Sequence, residues 1–76
     1  MPRFIISVER KADFYEVLEN IRKVSTDIVV LGASPNRTSK RTSGLATIEC
    51  SDEVAEKVKE VRGIRYFELE IIYRVI

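Results

Sequence analysis

Two stretches whose apolar residues recur at helical spacing lie between stretches that alternate like strands, and this order leaves few folds open. Residues 3–8 set Phe4, Ile6 and Val8 on one side and Ile5 and Ser7 on the other, the period of a strand. Phe14, Val17, Leu18, Ile21 and Val24 then follow at the spacing of one helix face. The spacing predicts a helix over residues 13–24. Asp13 is its expected N-cap, with Glu16 three places on in a capping-box pattern. Basic Arg22 and Lys23 fall in its last turn, where they suit the helix dipole.

Residues 28–33 (IVVLGA) are rich in β-branched side chains and read as a second strand. Residues 34–44 (SPNRTSKRTSG) read as a long polar, basic hairpin loop closed by Gly44. A third strand is expected over residues 45–50, with Ala46, Ile48 and Cys50 on one side. Ser51 or Asp52 then caps a second helix. Its apolar stripe is Val54, Ala55, Val58 and Val61, with Gly63 at the C′ position. Residues 65–75 alternate as a long last strand. Phe67, Leu69, Ile71, Tyr73 and Val75 face one way, and Tyr66, Glu68, Glu70, Ile72 and Arg74 the other.

The element order β-α-β-β-α-β predicts an α+β, ferredoxin-like sandwich over residues 1–76 as one domain. It is a four-stranded antiparallel sheet in order 4-1-3-2 with two helices on one face. A competing arrangement swaps the last strand to another subunit. The helices are expected to cover Phe4, Ile6, Val8, Ile48, Phe67, Leu69 and Ile71. The bare face should carry Ile5, Ser7, Leu45, Thr47, Glu49, Glu68, Glu70 and Ile72. Its mixed character marks Ile5, Leu45 and Ile72 as interface residues, since a fully solvated face would be polar.

A chain of 76 residues has a thin stability margin. One cysteine allows no internal disulfide, and the absence of histidine leaves no ordinary zinc site. No metal or cofactor is expected. Self-association, as a dimer or higher homo-oligomer, remains as a source of stability. The first apolar run is too short for a signal peptide or membrane span, so the expected location is the cytoplasm, with no membrane partner. Heavy use of Lys, Arg and Glu, with no Gln, hints at a thermophile.

Nothing in the sequence points to an enzyme. The usual neutral-pH acid–base, histidine, is missing. Glu68 and Glu70 share a strand face and read as a solvated stripe, and Cys50 sits on the expected core side. The hairpin loop is the one compositionally odd segment. Arg37, Lys40 and Arg41, with the hydroxyls of Thr38 and Ser39, form a candidate phosphate or nucleic-acid site over residues 36–43. The first and third strands offer no exposed aromatic for base stacking.

From the first helix onward, over roughly residues 14–72, the chain resembles ACT domains, small regulatory modules that bind amino acids. The similar segments are VLENIRKVSTDIVVLGAS, SGLATIEC and SDEVAEKVKEVRGI. Asp27-Ile28-Val29-Val30 stands at the family's N-I-x-x-I strand, and Val61-Arg62-Gly63-Ile64 at its V-x-G-V. Where the family often carries D-x-P-G, this chain has Arg10-Lys11-Ala12-Asp13. The effector domains of leucine-responsive regulators look similar too. The resemblance implies a stand-alone regulatory module with an amino acid or related metabolite as small-molecule effector. That effector would sit at subunit junctions, near Glu9, Arg10 and Lys11 and near Asp27 and Ile28. The alternatives are phosphate or nucleic-acid binding through the loop, and a structural subunit that docks on another protein.

Overall fold

A computed structural model describes residues 1–70. The chain runs β1 (Arg3–Glu9), α1 (Phe14–Arg22), β2 (Val29–Pro35), β3 (Thr42–Glu49), α2 (Asp52–Val58) and β4 (Ile64–Leu69). The strands form one antiparallel sheet in the order β2-β3-β1-β4. This is the expected ferredoxin-like α+β arrangement, read from the other edge.

One face of the sheet carries the core. Phe4, Ile6 and Val8 of β1, with Ala46 and Ile48 of β3 and Cys50 just beyond it, pack against the helix residues Phe14, Val17, Leu18, Ile21, Ala55 and Val58. The helix stripes and the strand alternation thus meet on one surface, and that removal of apolar area from water drives the fold. Phe67 joins the cluster from β4. Its ring lies 5.0 Å from that of Phe4, with the Lys59 ammonium 5.6 Å above it. Asp13 caps α1 by accepting from the Tyr15 and Glu16 amides, and Ser51 caps α2 by accepting from the Val54 amide. Each cap satisfies amides that the first turn leaves without partners.

Each strand ladder contains one bulge. The extra residue is Leu31 in β2, Ser43 in β3 and Arg65 in β4. A bulge inserts a residue and shifts the side chains that follow it to the other face. In β3 the insertion turns Thr42 onto the bare face beside Ser7. There Thr42 Oγ1 accepts from Ser7 Oγ and the Gly44 amide and donates to the Val8 carbonyl, at 3.0, 3.1 and 2.6 Å. The same bulge leaves the buried Ser43 hydroxyl without a hydrogen-bond partner among the described residues.

Several expectations need correction. Helix α1 ends at Arg22, and Val24 packs on the core from the following turn. The loop expected over 34–44 shrinks to residues 36–41, because β2 extends to Pro35 and β3 starts at Thr42. Gly44 therefore lies inside a strand. A Cβ there would stand 2.5 Å from the Phe14 ring and 2.8 Å from the Ser34 carbonyl oxygen, so only glycine admits the close approach of α1. Gly63 is not at the C′ position, since α2 ends with Lys59 as its C-cap. It turns the chain into β4 with φ +97°, a backbone that favours glycine, and a Cβ would meet Val17 at 2.7 Å. Leu69, expected under the helices, is 54% exposed, because it lies on the edge strand β4, while its ladder partner Phe4 on the same face is buried. Ser7, expected to be wetted, is 7% exposed, because Thr42 closes over it. Ile71, Ile72, Tyr73, Arg74 and Val75 lie outside the described residues.

Candidate functional site

The antiparallel ladders decide which turns become neighbours. Glu9, the last residue of β1, pairs with Thr42 at the start of β3, and its amide donates to the Gly63 carbonyl at 2.8 Å. Val8 pairs with Ile64 at the start of β4. The β2–β3 loop, the β1–α1 turn and the turn into β4 therefore leave the sheet side by side at one end. The start of β2 lies at the other end, where Val29 pairs with Glu49 and Glu49 with Arg3.

At the first end lies an open groove of about 410 Å³ between the β1–α1 turn, α1 and the turn at Gly63. Glu9, Lys11, Asp13, Glu16 and Arg62 line it, with Val17 as an apolar wall. Two of these groups are cations and three are carboxylates. Asp13 already serves the helix cap, which leaves Glu9 and Glu16 as the carboxylates available to a ligand. Gly63 brings bare backbone to the rim. Such a surface offers opposite charges to the two ends of a small zwitterion, with specificity set by a few polar groups around an apolar wall.

Of the residues that the sequence marked for an effector, Glu9 and Lys11 line this groove and Arg10 does not. Ile28 lines a separate, shallower groove of about 500 Å³ with Arg22 and Ser25, and Asp27 lies in the turn beside it. Within one copy the two sets sit at opposite ends of α1. Glu16, Asn20, Arg62 and Gly63 line the first groove without having been singled out. Only the pairing of β1 with β4 joins residue 9 to residue 63, and no local spacing reports it. The motif Val61-Arg62-Gly63-Ile64 was the available signal.

The basic loop is ordered by its own side chains. Asn36 Oδ1 accepts from the amides of Thr38 and Ser39 and from the Thr38 hydroxyl, and Ser39 Oγ accepts from the amides of Arg41 and Thr42. These are the turn-forming bonds of Asn and Ser side chains. Arg37, Lys40 and Arg41 are exposed, and none forms an ion pair among the described residues.

On the bare face, Leu45 and Tyr66 are exposed and Ile5 is half-buried. Ile72 falls outside the described residues. Strand β2 forms one sheet edge, carries no charged residue and is exposed along almost its whole length. Cys50 is fully buried and its amide donates to the Pro2 carbonyl. Burial, and then the Asp52 carboxylate nearby, push its thiol pKa up, which keeps it protonated and unreactive at neutral pH. No group of three or more His, Cys, Asp or Glu among the described residues could hold a metal ion. No helix among them is long and apolar enough to cross a membrane. Comparison with protein-family models, with curated proteins and with solved structures finds no match.

Proposed function

We propose that this protein is a small regulatory module that senses an amino acid or a related zwitterionic metabolite, and that it works as a homodimer or higher oligomer. The groove at the β1–α1 turn carries this reading. Lys11 and Arg62 would meet the ligand carboxylate, Glu9 and Glu16 its ammonium, and Val17 its apolar portion.

The uncharged β2 edge supports assembly. Its outward backbone groups have no strand partner among the described residues, and it lacks the charges that usually block edge pairing. Antiparallel pairing of two β2 strands about a two-fold axis is self-complementary. It turns the second copy's β2 start toward the first copy's β1–α1 end. The two sets of effector residues, separated within one copy, would then approach each other across the junction.

Thermal-shift measurements over a panel of amino acids and related metabolites test the ligand. Tenfold excess over Kd adds about 1.4 kcal/mol by mass action. For a domain this small that is a rise of roughly 6–11 °C at about 4–8 °C per kcal/mol. The rise should vanish in Glu9→Gln and Arg62→Ala. No shift across the panel would remove the sensor reading. Light scattering should report a dimer or larger species, and a monomer at high concentration would remove the assembly.

A further inference from the structure

We propose that the hairpin end of the sheet binds single-stranded nucleic acid, with backbone phosphates on the basic loop and a base stacked on Tyr66. The loop cations Arg37, Lys40 and Arg41 and the Tyr66 ring lie outside the lining of the metabolite groove, whereas Lys11 and Arg62 belong to both.

The first observation is a separation of charge. The net charge of +1 hides it. Three segments leave the sheet side by side at this end, in the order loop, β1–α1 turn, turn into β4. The loop supplies Arg37, Lys40 and Arg41, the second segment Arg10 and Lys11, and the third Arg62, with Arg65 at the start of β4 beside it. Against these seven cations stand the carboxylates of Glu9, Asp13, Glu16 and Glu60. Of the 12 basic and 12 acidic residues within residues 1–70, that leaves five basic and eight acidic for the remainder of the described chain. One end is therefore a positive edge, and the other described parts of the molecule are net negative. Four strands at about 4.8 Å spacing make this edge roughly 14 Å wide, enough to follow a few phosphates of one strand.

The second observation is an aromatic platform next to that edge. Tyr66 is 53% exposed on the bare face. It pairs with Ser7, one step in from the pairing of Val8 with Ile64 at the basic end. The Arg65 guanidinium lies 4.7 Å from its ring, placed there by the β4 bulge. Aromatic rings and guanidinium planes are the groups on which unstacked bases settle, and a positive groove beside them tracks the backbone. A base inside a duplex cannot reach such a ring, so the geometry selects a single strand. Glu49 and Glu68, farther along the bare face, repel phosphate and confine the strand to the basic end. Residues 36–41 contain no apolar side chain to insert into a bilayer, which favours nucleic acid over an anionic lipid surface.

Fluorescence anisotropy of the full chain with labelled 20-nucleotide single strands of DNA and RNA tests the proposal. Binding should weaken with salt at a log–log slope near −3, as expected when about four phosphates are neutralised. Combined Arg37→Ala, Lys40→Ala and Arg41→Ala should bring that slope to about −1. Tyr66→Ala should weaken binding roughly 5- to 100-fold, while Tyr66→Phe, which keeps the ring, should not. Far-UV circular dichroism confirms that each variant folds. Equal affinity for the matching duplex, for heparin or for vesicles containing phosphatidylserine would overturn the proposal. So would an unchanged slope in the triple variant, or loss of binding in Tyr66→Phe.

Discussion

On the covered face of the sheet, Ile6, Val8 and Ile48 are shut away from solvent beneath two helices. On the bare face, one residue over, Ile5, Thr47 and Glu49 are half-exposed and Leu45 and Tyr66 stand in solvent. The covered face is held by apolar packing, where each methylene counts because the interior is dense. The bare face is held at one point by polar contacts, the Ser7–Thr42 pair and the bonds from Thr42 to the β1 and β3 backbone. Among the described residues the buried apolar side chains thus gather on one surface, and the other stays largely open to solvent.

Substitutions on the two faces should separate these roles. The largest effect belongs to Ile48→Ala at the centre of the covered face, a loss of about 2–5 kcal/mol in denaturant unfolding. A loss below 1 kcal/mol would mean that the helices pack loosely there. Thr42→Val, which keeps shape but strands the Ser7 hydroxyl, should cost about 1–3 kcal/mol. A neutral result would show that the polar point is not what closes the bare face.

Cys50 gives a handle on the seal of the core. Its thiol pKa is raised by burial, so the folded state holds the proton more tightly than the unfolded chain. This contribution is intact below the ordinary thiol range and is lost as pH rises from that range through the raised value of the folded state. Stability should therefore fall on the alkaline side in the native chain and fall less in Cys50→Ala. Identical alkaline profiles would contradict the burial. The smallest effect is expected of Leu45→Ser on the bare face, within about 0.5 kcal/mol for an isolated copy. The same change should weaken self-association if the bare face beside β2 joins the interface, and unchanged assembly would restrict the contact to the β2 backbone.

Much of the architecture was legible because it rests on local periods. The alternation in β1, the stripe of α1 and the cap residues Asp13 and Ser51 all report themselves within a few positions. The groove at the β1–α1 turn was half legible. Glu9 and Lys11 stand in a turn that any reading of the chain would mark, whereas Glu16, Arg62 and Gly63 join them only through packing. Arg10, their immediate neighbour, does not line the groove.

By itself the sequence determined the element order, the identity of the core stripes and the helix starts, because these follow from spacing along the chain and from single capping side chains. Tertiary structure alone decided the three bulges, the burial of Ser7 under Thr42, the need for glycine at positions 44 and 63, and the gathering of cations at one sheet end. Each of these depends on the register between strands that are distant in the chain. A shift of one residue in that register exchanges the two faces, and no local pattern encodes it.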